Sequence, residues 1–322
     1  MKKSLTRIVI SFMCILLLAQ SVSAAEALVP VGQVIGIALE DGSITVAAFD
    51  EDLGENAKAA GLQVGDRITH IDETEVSSAA DVRKVLERSD GTVDIRLQRN
   101  GKAKQLTLRP SVTKQGPRLG VYLKQGVTGV GTVTWYDPES GEYGALGHGV
   151  NEPDGTPVSM LDGKIFKAAV ASVKKGQVGD PGQLSGAAES SAPIGNIRKN
   201  TPQGIFGSCP AGWEGQPLPL AEPKEIRIGP AVIRSTVEGS RVQEYSVEIL
   251  KIYPNERQAG RNLLLKVTDP ALLSATGGIV QGMSGSPIIQ DGKLIGAVTH
   301  VLVNDPTTGY GIFIENMLDA AA

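Results

Sequence analysis

Residues 281–289 read QGMSGSPII, and this short stretch carries most of what the sequence predicts about the fold. Gly282 and Gly285 stand on either side of Ser284, and glycine adopts backbone angles that other residues avoid. Pro287 then leads into an apolar run that is typical of a buried strand. The pattern therefore predicts a barrel strand next to a tight turn, with the serine hydroxyl exposed on that turn.

The backbone of the same turn suits the stabilisation of an oxyanion. In this turn type the amides of Gly282 and Ser284 can converge on one point, which is the arrangement of an oxyanion hole. Ser286 is the competing nucleophile, but it lies one step too late to share that pair of amides. The alternative interpretation is an ordinary Gly/Ser turn between two strands. We predict that Ser284 is a nucleophile.

A serine nucleophile needs a base beside it, and the chain has three histidines. His148 is framed by Gly147 and Gly149, which predicts a tight turn that presents the imidazole. His70 lies in a predicted strand and is expected to be structural, which leaves His148 and His300 as candidates. His300 lies in a predicted strand after the serine loop, which favours a structural role for it. His148 is therefore the predicted base, and the alternative is a histidine that only packs or bonds within a loop.

A carboxylate that holds the imidazole would complete a triad. Asp269 ends an apolar strand shortly before Ser284, and Asp162 and Asp180 are alternatives. Aspartates in turns often cap helices or bend loops, so the pattern leaves the choice open. We expect no metal and no cofactor, because no HExxH motif, paired cysteine, phosphate-binding or dinucleotide-binding fingerprint occurs.

Length, composition and charge limit the remaining possibilities. The 322 residues suggest two domains, and 39 glycines are typical of short strands joined by many turns. A formal net charge of -4 without a basic stripe makes nucleic acid a poor candidate partner. Cys14 lies in the N-terminal apolar segment, so its loss would leave Cys209 without a disulfide partner in the chain. We expect Cys209 to pack as a small apolar residue.

Apolar alternation and turn signals predict a mainly β chain in two units. Residues 26–113 form a small α/β unit, and residues 114–322 form strands that suit two packed barrels better than one. We predict strands at 44–49, 93–98, 104–108, 131–136, 231–237, 245–252, 263–267 and 294–303, and helices at 79–88 and 314–321. Ser78 is the predicted cap of the first helix, and Asn100-Gly101 is the predicted turn of a hairpin.

The first unit resembles a PDZ domain. Residues 60–76, AGLQVGDRITHIDETEV, are similar to a characteristic PDZ stretch, and residues 34–37 resemble the carboxylate-binding loop of that family. The resemblance implies that this loop holds a peptide carboxylate while the peptide adds a strand beside residues 37–39. The alternative is a PDZ-like unit that only packs on its neighbour. The residues that the resemblance assigns to the groove are Val34, Ile35, Gly36, Ile37 and Val82.

Residues 1–25 have the layout of an export signal. A positively charged start precedes a short apolar run at residues 8–20, and small residues at 22–24 suit a signal-peptidase cut. The run is short for a transmembrane helix, which needs about 20 apolar residues. Cleavage is therefore favoured, with retention as a membrane anchor as the second possibility and a buried helix as the third.

Beyond these motifs, almost the whole chain after the signal resembles the stage IV sporulation protein B peptidases of spore-forming bacteria. The resemblance is carried by TVTWYDP at 132–138, YGALGH at 143–148, TPQGIFG at 201–207 and the long segment 277–310. That family combines a signal or anchor, a PDZ domain and a serine peptidase domain of the chymotrypsin-like double β-barrel class. The resemblance implies His148 as base, Ser284 as nucleophile and Asp269 as the acid.

The resemblance also implies a biological role. Enzymes of that family are exported from the forespore into the space between two membranes, as secreted or membrane-anchored proteins. There they cleave a regulatory subunit, stage IV sporulation protein FA, and themselves near the N-terminus. The first cut releases an intramembrane metalloprotease that processes a late sigma factor. The alternatives are a non-catalytic exported PDZ scaffold and a quality-control protease that acts on unfolded proteins.

Overall fold

The computed structural model describes residues 27–152, 155–256 and 260–322. The predicted export signal at 1–25 lies outside the described residues. The described part contains twenty strands and four α-helices. The strands are β1 (Ala27–Pro30), β2 (Val34–Phe49), β3 (Arg67–Ile71), β4 (Thr74–Glu75), β5 (Val93–Arg99), β6 (Lys102–Leu108), β7 (Ser111–Thr113), β8 (Gly116–Arg118), β9 (Val121–Tyr136), β10 (Glu142–Ala145), β11 (Asp162–Lys174), β12 (Gln183–Thr201), β13 (Gly204–Ser208), β14 (Leu218–Pro219), β15 (Gly229–Glu238), β16 (Arg241–Ile252), β17 (Leu263–Val267), β18 (Pro287–Gln290), β19 (Lys293–Leu302) and β20 (Asp305–Phe313). The helices are α1 (Glu55–Ala59), α2 (Ala79–Leu86), α3 (Pro270–Thr276) and α4 (Ile314–Ala321), and a 3₁₀ turn covers Pro223–Glu225.

Six antiparallel strands close the first barrel. Strands β9, β10, β13, β12, β11 and β2 pair in that order, and β2 returns to pair with β9. Residues at alternate positions point inward, and Ile35, Val133, Tyr143, Ile165 and Ile205 are buried in its core. Burial of each large apolar side chain stabilises the barrel by about 1.5–3 kcal/mol.

A second closed barrel follows, with the strand order β15, β16, β17, β20, β19 and β18. Ile233, Val247, Leu265, Ile288 and Phe313 are buried in its core. The strand predicted at 263–267 is β17, and the apolar run that follows Pro287 enters β18. The predicted mainly β architecture, with a PDZ unit ahead of a barrel-containing peptidase unit, is confirmed.

The PDZ unit is inserted between two strands of the first barrel. Strands β2 and β9 are each 16 residues long, and their outer parts, residues 44–49 and 121–125, pair beyond the barrel. Strands β3, β5 and β6 extend that sheet, and α2 packs on it through buried Val82 and Leu86. The Ser78 Oγ accepts a hydrogen bond from the Asp81 amide at 3.1 Å, so the predicted helix cap is confirmed.

This insertion differs from the predicted division between residues 113 and 114. Strand β1 and residues 34–39 pair within the first barrel, although the sequence pattern assigns them to the PDZ unit. An alternating apolar stretch satisfies a barrel strand and a PDZ strand equally well. Only the long-range partners in β9 and β11 decide between them, and local periodicity does not reveal those partners.

Two local predictions hold at opposite ends of the chain. Asn100 and Gly101 both have positive φ, 51° and 72°, as a two-residue hairpin turn between β5 and β6 requires. Helix α4 spans residues 314–321 as predicted, and Ile314 and Met317 pack in one cluster with residues of both barrels. Among the described residues, none of the helices has the length and apolar character needed to cross a membrane.

Cys209 occupies the interior of the first barrel. Its side chain is buried in the same cluster as Val133 and Ile205, and its Sγ donates to the Ile194 carbonyl at 3.3 Å. Burial raises the pKa of the Cys209 thiol, so it stays protonated at neutral pH. The prediction that this cysteine packs as a small apolar residue is confirmed.

Candidate active site

The serine loop joins α3 to β18 and depends on two glycines. Gly282 and Gly285 have φ angles of 98° and 97°, in the region that favours glycine. A Cβ atom on Gly285 would collide with the Thr132 carbonyl oxygen, so no other residue fits there without moving β9. Ser284 stands between the glycines and is half-buried. The predicted turn is therefore present, and its backbone angles explain the glycines.

The first barrel holds this loop of the second barrel by its carbonyl groups. The Thr132 amide donates to the Ser284 carbonyl at 3.0 Å, and Thr132 Oγ1 donates to the Gly282 carbonyl at 2.8 Å. The neighbouring Thr134 Oγ1 donates to the Gly285 carbonyl at 2.8 Å. These three bonds fix the peptide planes of the loop, and they do so from a strand that reaches back to the PDZ unit.

Two amides of the same loop, unlike its carbonyls, make no hydrogen bond to the described part of the protein. Within the described ranges of the chain, neither the Gly282 amide nor the Ser284 amide has a hydrogen-bond acceptor. With no acceptor among the described residues, these two N–H groups are available to a ligand oxygen. An oxyanion hole requires such a pair of unoccupied backbone donors.

The two serines of the loop have separate environments. Ser284 Oγ donates to the Thr299 carbonyl at 2.8 Å and borders a cavity. Ser286 is fully buried, and its Oγ donates to Ser235 Oγ at 3.0 Å. A substrate cannot reach Ser286, so the geometry favours Ser284 as the reactive hydroxyl.

His148 lies in a tight loop that follows β10. Leu146 and Gly147 both have positive φ, 71° and 69°, and this turn directs the chain toward the second barrel. The His148 Nδ1 lies 2.8 Å from the Gly149 carbonyl oxygen. Because a carbonyl oxygen only accepts, Nδ1 carries the proton and Nε2 keeps a free lone pair. That tautomer is the one a general base needs.

The charge state of His148 also suits a base. Burial lowers the pKa of the imidazole, and the bond to the Gly149 carbonyl opposes that effect. Because burial lowers its pKa, the ring is uncharged at neutral pH and able to accept a proton.

One cavity between the barrels contains the predicted nucleophile, base and oxyanion donors. It has a volume of about 510 Å³, and its walls include His148, Gly282, Ser284, Thr299 and His300. The structure therefore brings the predicted base, His148, into one cavity with Gly282 and Ser284, which lie far from it in the sequence. Its remaining walls include apolar residues of both barrels, such as Val130 and Val280, which suits an extended peptide chain better than a charged metabolite.

The predicted acid, Asp269, is not part of this group. Its Oδ1 accepts the amides of Ala271 and Leu272 at 2.9 and 3.0 Å, and its Oδ2 accepts the Ser246 amide at 3.3 Å. These bonds make Asp269 the N-cap of α3, with Pro270 at the first helical position. The alternatives do not replace it, because Asp162 pairs with Lys164 and Asp180 with Lys174.

No carboxylate among the described residues bonds to His148. Nor does the described part of the chain hold a cluster of three or more side chains suited to a metal ion.

The capping role of Asp269 can be separated from a catalytic one by two substitutions. Asp269→Asn keeps the oxygen that caps α3 but loses the acceptor for the Ser246 amide, so we expect a smaller loss of stability than in Asp269→Ala and an unchanged rate of active-site acylation. Asp269→Ala loses the cap and should lower the free energy of unfolding by about 1 kcal/mol, again without slowing acylation by folded protein. Thermal denaturation and probe labelling measure both effects. A stable but unreactive Asn variant would instead identify Asp269 as a catalytic carboxylate.

Sequence reasoning did not place His300 beside the predicted base. Its ring centroid lies 5.3 Å from that of His148, with the two planes 38° apart. The sequence carries one usable signal, since His300 lies in the second strand after the serine loop. That strand position predicts a structural histidine, because sequence spacing alone does not show which side chains of the two barrels face each other.

The predicted peptide-binding loop at residues 34–37 has no free edge. Ile35 pairs with Gly131 of β9 on one side and with Lys167 of β11 on the other, and Ile37 is likewise paired on both sides. A peptide cannot add a strand to backbone groups that are already bonded. Val82 borders an open groove on the PDZ unit, whereas Ile37 lines the cavity that contains Ser284. The assignment of Val34, Ile35, Gly36 and Ile37 to a peptide-binding loop is therefore corrected.

A groove of the expected kind lies instead between α2 and the start of β9. Its volume is about 540 Å³, and Val82 and Leu86 face residues 117–123 across it. Residues 119–121 read Leu-Gly-Val, an apolar-Gly-apolar sequence, and Gly120 has a φ of 73°. Residues 121–125 pair with β2 along one edge only, and among the described strands none pairs with the other edge. That edge is open to an added strand.

Comparison with known protein families identifies both units of the chain. A family model described as SpoIVB peptidase S55 matches residues 115–318, and a PDZ domain model matches residues 34–109. No curated protein sequence matches the chain.

Solved structures show weaker similarity. The PDZ domain of the SdrC-like protein Lmo2051 from Listeria monocytogenes is 25% identical over 25% of this chain and 85% of that chain, with a TM-score of 0.22. The active form of the Rv3671c protease from M. tuberculosis is 15% identical over 61% of this chain and 75% of that chain, with a TM-score of 0.37. Its inactive form is 14% identical over 59% and 82%, with a TM-score of 0.36.

The peptidase match spans well over half of the chain and includes both the histidine loop and the serine loop. It also contains all of the second barrel and most of the first. The site geometry and the sequence match thus lead to one conclusion: the chain belongs to the SpoIVB peptidase S55 family and is a serine peptidase that carries a PDZ domain.

Proposed function

We propose that this serine peptidase uses Ser284 as nucleophile and His148 as base, and that it cleaves a regulatory membrane protein and itself during sporulation. The observation that carries the catalytic part is the shared cavity. Ser284, His148 and Gly282 all border it, and the two free amides belong to the same loop as the serine. A structural Gly/Ser turn has no need for that combination.

The proposed reaction begins when the Ser284 hydroxyl leaves the Thr299 carbonyl and turns toward His148 Nε2. The oxygen attacks the carbonyl carbon of the substrate as its proton passes to His148, and the Gly282 and Ser284 amides bind the resulting oxyanion. The C–N bond then breaks, and His148 gives the proton to the leaving amine. Water then attacks the ester carbonyl as its proton passes to His148. The bond between the acyl carbon and Ser284 Oγ breaks, His148 returns the proton to that oxygen, and the carboxylic acid product leaves.

The groove beside α2 supplies a docking site for the protein substrate. A peptide that adds a strand along residues 121–125 would place its C-terminal carboxylate near the Leu119-Gly120 turn. Lys114 and Arg118 border the same groove and complement that negative charge. Val82 and Leu86 form an apolar wall that suits an apolar final side chain.

Family membership supports the biological part of the proposal. In a sporulation pathway the substrate would resemble stage IV sporulation protein FA, and its cleavage would release an intramembrane metalloprotease that processes a late sigma factor. The charged start and apolar run of residues 1–25 support export from the forespore into the intermembrane space. The second proposed substrate is the N-terminal region of the chain itself.

One observation favours a second candidate, a PDZ scaffold with a dormant peptidase unit. The Ser284 hydroxyl donates to the Thr299 carbonyl and not to His148. A scaffold would keep that bond permanently, whereas an enzyme exchanges it for the bond to His148 when substrate binds.

Covalent labelling separates the two candidates. Protein lacking residues 1–25 is incubated with a fluorophosphonate probe, and the labelled peptide is mapped by mass spectrometry. We expect one label per chain, on Ser284, and loss of peptide hydrolysis in step with labelling. Folded protein that binds peptides but takes no label, with or without a docking peptide, would support the scaffold and refute the catalytic proposal.

The docking groove gives its own prediction. Val82→Gln places a polar side chain on the apolar wall, and we expect it to weaken binding of a peptide with a free apolar C-terminus at least about tenfold. Val85→Gln is the matched control, because Val85 lies on the same helix but does not border the groove. Fluorescence anisotropy measures the affinity of both variants for the peptide. The same peptide with an amidated C-terminus tests whether binding requires the free carboxylate. Equal affinities for the parent and Val82→Gln would place the docking site elsewhere.

A further inference from the structure

His148 lacks the partner that a serine peptidase base normally has. Its Nδ1 contacts the Gly149 carbonyl, at 2.8 Å, and the predicted acid, Asp269, caps α3. A backbone carbonyl orients the ring but carries no negative charge to stabilise the imidazolium that forms during acylation. The side chain that does stand beside the ring is His300, with centroids 5.3 Å apart.

The position of His300 is tied to the nucleophile. It follows Thr299, whose carbonyl accepts the Ser284 hydroxyl at 2.8 Å. Thr299 Oγ1 in turn donates to the Gly260 carbonyl at 2.8 Å, and His300 pairs with Tyr310 across β19 and β20. These bonds hold the backbone of His300 in register with the serine loop, so its ring has a defined position relative to both Ser284 and His148.

The described charged and titratable groups that face His300 are His148, Arg261 and Tyr310. Arg261 lies 5.2 Å from the ring centre of Tyr310, which is the partner of His300 on β20. Partial burial, the protonated form of His148 and the Arg261 charge together lower the pKa of His300 to about 4. His300 is therefore uncharged at neutral pH, and only one of the two neighbouring rings carries an added proton during the reaction.

We infer that His300 occupies the place of the third triad member: it is a positioning residue whose uncharged imidazole packs on His148, keeps that ring directed at Ser284 and stabilises its protonated form. This inference rests on the proposed role of His148. No proton passes from His148 to His300 in this scheme, because His300 supplies a dipole and a ring face and is not itself protonated. The reaction steps and their proton balance stay as described above.

Two substitutions of His300, by side chains of nearly equal size, test the inference. His300→Gln removes the ring, and His300→Glu places a carboxylate at the same position. We expect His300→Gln to slow fluorophosphonate labelling at neutral pH at least about tenfold, and His300→Glu to recover most of that loss. Thermal denaturation and peptide binding to the α2 groove should be close to those of the parent in both variants, since neither property depends on the ring.

A second readout does not depend on activity. The pKa of His148 is measured by NMR in a Ser284→Ala background that carries either substitution. An opposite charge at about 5 Å raises the pKa of an imidazole by about one unit or more, so we expect a higher value in His300→Glu than in His300→Gln. The His148 pKa rises in His300→Glu because the ionised carboxylate favours the charged imidazolium over the neutral ring. In the labelling profile of His300→Glu the acid limb should move to higher pH by the same amount.

The outcomes are distinct. Equal His148 pKa values in the two variants, or parent-like labelling by His300→Gln, would overturn the role of His300. Absence of labelling in the parent would instead overturn the proposed catalytic function, and the NMR comparison would still judge whether the two positions are coupled.

Discussion

Replacing Ser284 with alanine is expected to abolish covalent labelling and to lower peptide hydrolysis by at least about 10⁴-fold. The variant loses the atom that forms the acyl bond, while the two free amides and the cavity remain. Its fold should be unaffected, because Ser284 is half-buried and the substitution removes one hydrogen bond, to the Thr299 carbonyl. Labelling stoichiometry, hydrolysis of a fluorogenic peptide and thermal denaturation measure the three properties.

Ser286→Ala is the matched control for that experiment. Its hydroxyl is two residues away but buried against Ser235, so it should label as the parent does while losing about 1 kcal/mol of stability. Loss of labelling in Ser286→Ala with retention in Ser284→Ala would reverse the assignment of the nucleophile.

The second large effect concerns the fold. Removal of residues 27–113 deletes β1 and β2, and we expect the remaining chain not to fold. Strand β2 pairs with both β9 and β11, so its loss opens the first barrel and exposes residues that include Ile165 and Val133. Joining residue 39 to residue 127 through Asn-Gly removes a similar length of chain but keeps the barrel strands. Leu39 and Val127 are cross-strand partners, so a two-residue turn spans them.

Circular dichroism, thermal denaturation and probe labelling compare the two variants. The Asn-Gly variant is expected to show a cooperative thermal transition and to accept the probe, whereas it no longer binds C-terminal peptides. A fragment of residues 114–322 that folds and labels at the parent rate would show that the barrel does not need the N-terminal strands.

The sequence predicts those features that depend only on residues close together in the chain. Gly282 and Gly285 mark the serine loop because positive φ at both positions excludes most other residues. Helix α4 and the Asn100-Gly101 turn are likewise set by local patterns. Such features need no knowledge of distant partners.

The failures have a common physical origin in long-range pairing. Residues 34–39 carry an alternating pattern that fits two different sheets, and only the partner strands decide. His300 reaches His148 from the other barrel, a contact that no spacing predicts. Asp269 is different, because Asp-Pro followed by an apolar turn is itself a helix-start signal. At this position the local sequence predicts a helix cap and the family resemblance predicts a triad member, and in the structure Asp269 is the cap of α3.

The short strand β1 sets a limit on N-terminal processing. It pairs with β9 and β14, and Leu28 and Val29 are almost completely buried. A cut that falls within residues 27–33 would detach this strand and expose its partners, whereas a cut ahead of Ala27 keeps the barrel contacts made by the described residues. The proposed self-cleavage would therefore leave the barrel strands in place only if it occurred upstream of Ala27, and cleavage within residues 27–33 is expected to inactivate the protein.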